Sequence, residues 1–416
     1  MNYPFFLARR LSLATNGRKN SPAVTVAIIA VSVSVAVMVA AIAIVLGFKE
    51  EIRNKVIGFN GHITIYKIPI NEEDDNLITL TPQLCASLDS LSFVTNYSLA
   101  AALPAVFKTK EDFKGIYLKG IGGSAISTYL SNNLEEGIVS DFESSTDSLK
   151  NKILISRQTA NNLLLNIGDK IDTYFMSDDI RVRRLEIGGI YNTHFDQYDN
   201  ILAFGNINLV SQMGNIPENT GTYIIVYTDN FDKIDEYTFL LQDALNKSAL
   251  KGESDDWYRT DNVLSQGRGF FSWLSLLDMN VIVIIILMMI VGCVTLVSGM
   301  LIIILERKKF IGLMRAMGAP AKKIRNVFIF MAIKISLFGI LIGNLVVLTF
   351  LGLQHKYHFI KLDADSYYID YMPVSISIWM IIFLNLGVLL ITYLVLVLPA
   401  RFVGKISPAE SIIRNE

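Results

Sequence analysis

Charge is absent from four long stretches of this chain. No Lys, Arg, Asp or Glu occurs from Asn20 to Phe48, Met279 to Leu305, Ile335 to His355 or Tyr371 to Ala400. Each run exceeds the roughly 20 residues a helix needs to cross a hydrocarbon core of about 30 Å. The pattern predicts four transmembrane helices, at 23–48, 278–305, 324–353 and 375–399. The first is far longer than the roughly 7–15 apolar residues of a signal peptide, so it predicts a retained anchor.

Between the first two helices, from 49 to 277, polar residues return and short β-rich runs dominate: His62–Ile68, Lys152–Ser156, Lys170–Phe175, Arg181–Tyr191, Asn200–Phe204 and Thr222–Tyr227. Helical patterns at Thr81–Leu91, Arg157–Leu165 and Asn230–Asn246 interrupt them. The predicted architecture is a membrane protein of four transmembrane α-helices with a large α+β extracytoplasmic domain inserted between helices 1 and 2. Residues 354–374 form a short external loop in this scheme.

A different pattern fills 306–323, between the second and third helices. Phe310, Leu313, Met314 and Met317 recur at spacings of three and four, the period of one helical side. Arg307, Lys308, Lys309 and Arg315 surround them, and Gly318 and Pro320 supply a helix stop and a new start. This predicts a basic amphipathic helix on a membrane surface, with those four apolar side chains as its docking face.

The basic residues also orient the chain. Residues 1–22 carry Arg9, Arg10, Arg18 and Lys19, the 306–325 stretch carries seven basic residues against one Glu, and the tail from 401 carries three. The positive-inside rule assigns these segments, and both termini, to the cytoplasm, which leaves the large domain outside.

Two small-residue stripes predict close helix packing in lipid. Ala23, Ala27, Ala30 and Ser34 lie along the first helix; Ala332, Ser336, Gly339 and Gly343 lie along the third. The pattern leaves open whether these faces pack within the chain or form a dimer seam. Lys334, near the cytoplasmic end of the third helix, is expected to snorkel to the surface.

Composition agrees with a membrane protein: 18% of residues are charged and 52% hydrophobic, with mean hydropathy +0.42, against about 25% charged in soluble proteins. A net charge of −1 gives no long-range attraction for nucleic acid. Cys85 and Cys293 occupy different settings and predict no disulfide. His355 and His358 fall short of the three or four ligands of a typical protein metal site, and Glu72–Asp75 lacks the spacing of a calcium loop. There is no GxxxxGK[ST], HExxH, GxSxG or Cys-x-x-Cys. No catalytic residue, metal site or cofactor is expected in this chain. Asn96-Tyr97-Ser98 and Asn246-Lys247-Ser248 match the glycosylation pattern at a length that arises by chance.

Several stretches resemble one family throughout the chain. They are Phe6-Leu7-Ala8-Arg9-Arg10-Leu11; Gly47-Phe48, expected to close the first helix; Gly61-His62-Ile63, opening the domain; Ile155-Ser156-Arg157 with Leu165–Lys170; and Gly189-Ile190-Tyr191 leading to Tyr198-Asp199. The most specific are Glu306-Arg307-Lys308 with Ile311–Ala319, and Leu398-Pro399-Ala400-Arg401 with Ser407–Ile412. The chain resembles the membrane subunit of MacB/FtsX-type ABC transporters, most closely the LolC/LolE branch that releases lipoproteins from the bacterial inner membrane.

The resemblance implies a coupling helix that docks on a separate ATPase, through Glu306, Arg307, Lys308, Phe310, Leu313, Met314, Arg315, Met317 and Gly318. The family usually has Glu where this chain has Phe310, which implies an apolar contact in place of a charged one. Implied partners are a LolD-like ATPase dimer carrying ATP and magnesium, a second copy or related membrane subunit, an acylated lipoprotein, membrane lipid and a LolA-like periplasmic carrier. The implied location is the bacterial inner membrane with a periplasmic domain. A MacB-like efflux subunit, an FtsX-like regulator of a cell-wall hydrolase and a non-transporting receptor are the alternatives.

Overall fold

The computed structural model describes residues 22–70, 75–122, 124–139, 151–176, 180–251 and 256–400. The motifs at Phe6–Leu11 and Ser407–Ile412, and most of the acidic run Glu72–Asp75, lie outside them. Four helices are long and apolar enough to cross a membrane, and the chain separates into two compact units. Residues 51–272 with 362–371 form the external unit; the remainder forms the membrane unit.

The first helix, α1 (Pro22–Asn60), departs from expectation by running unbroken through Gly47-Phe48. At 1.5 Å per residue it is about 58 Å long, roughly twice a hydrocarbon core. Its polar half stays helical because Ile52, Val56 and Phe59 recur at helical spacing and are all fully buried. Gly47 serves close packing instead of termination: a Cβ there would stand 2.7 Å from the backbone of Pro373 and Val374. The helix ends at Gly61, whose φ of +69° suits glycine and whose N–H bonds the Ile57 carbonyl.

The external unit continues with β1 (Ile63–Ile68), β2 (Ile78–Thr79), α2 (Pro82–Asp89), β3 (Val94–Lys108), β4 (Phe113–Ile121), α3 (Ser124–Asn132), β5 (Leu134–Gly137), β6 (Lys152–Ser156) and α4 (Arg157–Leu163). Then come β7 (Lys170–Met176), β8 (Ile180–Tyr191), α5 (Asp196–Asp199), β9 (Leu202–Asn206), α6 (Ile207–Gly214), β10 (Thr220–Gly221), β11 (Tyr223–Thr228), α7 (Ile234–Leu250), β12 (Trp257–Asn262) and α8 (Val263–Gln266).

Six of the strands close on themselves in the order β3-β4-β9-β6-β8-β7 and back to β3. Closure removes the free edges that an open sheet would expose. Alternation fills the barrel: in β7, Ile171, Thr173 and Phe175 point inward while Asp172 and Tyr174 do not. Ala101, Phe107, Leu118, Ile155, Leu185 and Ile187 complete the core.

The long strand β3 belongs to two structures. Residues 94–100 pair with β11, which leads through β1 to β12, and residues 105–108 pair with β7 of the barrel. Pro104 falls between the two pairings, where a missing N–H is tolerated. Helix α7 lies over the β12 side, where Phe93 and Tyr237 stack 4.3 Å apart.

In the membrane unit, α9 (Arg268–Glu306) is followed by α10 (Lys308–Ala316), α11 (Ala321–Tyr357), α12 (Ala364–Tyr367, within the external unit) and α13 (Ile378–Ala400). Helix α1 is the hub. Ala27, Val31, Val35, Met38 and Val39 are buried on it and join a core shared with α9, α10, α11 and α13. His355 lies in the last turn of α11, and His358 takes the left-handed conformation that ends it. Among the described residues there is no group of three His, Cys, Asp or Glu suited to a metal. Cys85 and Cys293 are both free thiols.

Candidate functional site

The basic segment forms α10, and its end is specified in detail. The N–H of Gly318 bonds the Arg315 carbonyl and that of Ala319 bonds the Met314 carbonyl, a Schellman stop with Gly318 at φ +85°. Pro320 then caps α11.

The four apolar side chains expected on one docking face are divided by the structure. Ile311, Gly312 and Met314 are buried in the membrane unit's own core. Phe310 is half-buried and lines a small apolar cleft with Met314, Ala319, Lys323, Ile324, Val327 and Phe328. Leu313 and Met317 are 54% and 67% exposed, with Lys309 and Gly318 beside them on the open side. Phe310 thus packs in part against its own chain. Glu306 is exposed, and Arg307, Lys308 and Arg315 are half-exposed around the helix.

The small-residue stripes pack within the chain. A Cβ at Gly343 would lie 2.6 Å from the Ser32 carbonyl oxygen, and one at Gly339 would lie 2.7 Å from Val31. From α9, a Cβ added at Gly292 would lie 3.3 Å from the Ser34 hydroxyl and one at Gly299 would lie 3.3 Å from Ala27. Ala30 is half-buried. A polar contact not anticipated from sequence joins α11 to α13, where the Asn344 amide donates to Asn385 Oδ1 at 3.1 Å. Lys334 is half-buried on α11.

At the external end of α11, the buried Gln354 holds the loop that follows. Its amide nitrogen donates to the carbonyls of Ile360 and Met372, and its oxygen accepts from the Ile360 N–H. The loop is thereby pinched at its base. Where the charge-free part of α1 ends and just before that of α9 begins, Lys49 pairs with Asp278 at 2.5 Å and Phe48 meets Trp273 edge to face.

Within the external unit, a second constellation surrounds Lys55 on the continuation of α1. Its ammonium is buried and donates to the Thr193 carbonyl at 2.5 Å and the Tyr368 carbonyl at 2.7 Å. Glu51, Asp370 and Asp199 surround it with negative charge, while burial pushes its pKa below the usual lysine range. The Asp199 carboxylate accepts from the Thr193 N–H, the Thr193 hydroxyl and the Phe195 N–H, winding Thr193–Asp199 around its own side chain. Tyr198 stacks on Phe59 at 4.8 Å, and its hydroxyl accepts from the Asn60 amide. The Tyr-Asp motif noted in the sequence thus lies against the end of α1. Lys55 went unnoticed because a single lysine in a polar helical stretch looks solvated.

Residues 282–408 match the FtsX-like permease C-terminal family. Over 396 residues the chain is 21% identical to the lipoprotein-releasing system transmembrane protein LolC of Xylella fastidiosa, covering 89% of each protein. It is 20% identical over 399 residues to LolC of Neisseria meningitidis, with the same coverage. An uncharacterized ABC transporter permease of Methanocaldococcus jannaschii is 26% identical over 278 residues, covering 64% of this chain and 63% of that one. Among solved structures, the extracellular domain of the noncanonic ABC-type transporter YknZ from Gram-positive bacteria has a TM-score of 0.33 at 16% identity, covering 48% of this chain and 99% of that domain. The periplasmic region of MacB from Actinobacillus actinomycetemcomitans has 0.34 at 13%, covering 52% and 95%.

The chain therefore resembles permease subunits of ABC-transporter type, and it has a helical unit with four helices long and apolar enough to cross a membrane and a separate extracytoplasmic domain. The resemblance read from the sequence is found again in these comparisons: the chain is similar to the LolC/FtsX-like permeases.

Proposed function

We propose that this permease couples ATP hydrolysis on a separate, LolD-like ATPase dimer to extraction of acylated lipoproteins from the outer leaflet of the bacterial inner membrane. The observation that carries the coupling is the form of α10. It is fixed to the membrane unit by Ile311 and Met314 and stopped by Gly318, yet it presents Leu313 and Met317 to solvent. A rigid short helix with an apolar pair on its outer side is suited to seat in a groove and transmit a push. Lys309 and Gly318 flank the docking face, and ATP and magnesium belong to the partner.

Similarity to LolC over 89% of both chains supports lipoprotein release over efflux or hydrolase regulation. The energetic demand fits a motor. Each buried CH₂ contributes roughly 0.8 kcal/mol, so a chain of about fifteen resists extraction by on the order of 12 kcal/mol. A second copy or a related membrane subunit completes the assembly, the large domain is periplasmic with both termini cytoplasmic, and a LolA-like carrier receives the product.

Affinity purification from detergent-solubilised native membranes tests this. Recovery of an ATPase subunit with an acylated lipoprotein is the expected result. An ATPase accompanied by a cell-wall hydrolase and no lipoprotein would move the chain to the regulator class.

A further inference from the structure

The external continuations of the four spanning helices converge on one segment of the domain, Thr193–Asp199, between barrel strands β8 and β9. From α1, Lys55 binds the Thr193 carbonyl and Phe59 stacks on Tyr198. From the start of α9, Phe270 lies 4.7 Å from Phe195. From the loop joining α11 to α13, Tyr368 meets Phe195 edge to face at 5.3 Å, Asp370 pairs with His194 at 3.3 Å, and the Tyr368 carbonyl accepts from Lys55. On the barrel side, the Ser156 hydroxyl at the start of α4 donates to the Asp199 carbonyl.

We propose that this convergence is a mechanical joint and that Lys55 is its positioning residue, fastening Thr193–Asp199 at once to the first helix and to the loop between the third and fourth. The proposal rests on the permease reading and extends it: nucleotide-driven movement of any spanning helix reaches the barrel through this segment as a single displacement.

The chemistry of Lys55 suits the task. A buried ammonium is costly, and an apolar side chain would pack at that site without the cost. What lysine adds is several donors on one atom, here spent on main-chain carbonyls from two separate segments. Charge-assisted bonds of this kind are stronger than neutral ones. Removing the ammonium would leave two carbonyls without their donor and Asp199 without a nearby cation, so the joint would loosen while the barrel and the bundle keep their own cores. Lys119, the other buried lysine, bonds only the Phe59 carbonyl among the groups described, and so ties the helix end to β4 without reaching the loop.

The test uses the complete complex with its ATPase, comparing hydrogen exchange with and without a non-hydrolysable ATP analogue. In the unmodified protein, both the 308–317 peptide and the barrel peptides from β8 and β9 should change protection. With Lys55→Met the 308–317 response and the ATPase rate should persist while the barrel response falls by about tenfold, the scale of a lost coupling energy. Lys55→Arg should restore much of it. Asp370→Asn, at a half-exposed carboxylate outside any core, should weaken the barrel response without affecting assembly. A full barrel response in both Lys55→Met and Asp370→Asn would overturn the proposal, as would loss of the 308–317 response together with the barrel response in Asp370→Asn. If the unmodified chain bound no ATPase and showed no nucleotide response anywhere, the permease reading itself would fail, a distinct outcome.

Discussion

Gly343 of α11 rests on the backbone of Ser32 in α1, so closely that a methyl group would stand 2.6 Å from the Ser32 carbonyl oxygen. Two helices in lipid are not driven together by exclusion of water. Close backbone approach and packing hold them instead, which makes this contact sensitive to a single added carbon. Gly343→Val should destabilise the helical bundle by about 1–3 kcal/mol, the usual cost of overpacking. Detergent-solubilised variant and parent would be compared by thermal unfolding. An unchanged midpoint would mean that the helices separate freely at this point.

Helix α10 should respond differently on its two sides. Leu313→Asp and Met317→Asp alter exposed positions, so expression and unfolding temperature should match the parent while the ATPase no longer co-purifies. Met314→Asp places a charge in the membrane unit's core and should lower stability first. The comparison needs only a pull-down and a melting curve. Normal ATPase binding by the Leu313→Asp, Met317→Asp double variant would remove the proposed docking face.

Burial pushes the Lys119 ammonium down to about 7 from 10.5, with the Phe59 carbonyl as its hydrogen-bond acceptor and the Tyr223 ring 5.2 Å away. Between those values the unfolded chain binds the proton more tightly than the folded one, so stability rises with pH across this window. Stated from the alkaline side, the contribution is fully present above 10.5, is lost as pH falls toward about 7, and is constant below. Lys119→Met should flatten the slope. Denaturant midpoints of the full-length protein measured across the window would show it, and a parent profile falling with rising pH would contradict the assignment.

Gln354 satisfies two carbonyls and one N–H at the base of the external loop. Gln354→Leu leaves these groups without that partner, at about 1–3 kcal/mol for each group that stays buried and unpaired. Amide exchange in the 358–372 peptide should accelerate while α1 peptides are unaffected. No acceleration would show that the loop is held elsewhere.

Much of the architecture was legible because a bilayer imposes a long, charge-free pattern that few other environments permit. The position of α10 and its stop at Gly318 were equally plain, since Gly followed closely by Pro has a local mechanical meaning. Which side of α10 faces out was not. A helix that packs on a membrane unit and also presents an apolar pair has two apolar sides, and periodicity alone merged Met314 with Leu313. Strand β3 escaped notice for a related reason. Ala100, Ala101 and Ala102 and then Pro104 read poorly as β, yet small residues suit a strand that changes partners, and Gly221 comes within 2.5 Å of the Ala100 carbonyl by the same Cβ measure. The extension of α1 past Gly47 was hidden because glycine usually weakens a helix, and only tertiary approach at Pro373 explains it here. Lys55 lay beyond sequence reasoning altogether, since its partners stand 138 and 313 residues away.

The most direct test of the central claim is reconstitution of the chain with its ATPase and any second membrane subunit in proteoliposomes holding a labelled triacylated lipoprotein. With ATP and a soluble acyl-binding carrier outside, label should appear in the soluble fraction, and the Leu313→Asp, Met317→Asp variant should release none. ATP hydrolysis by the assembled complex with all label retained in the membrane would contradict lipoprotein extraction as its function.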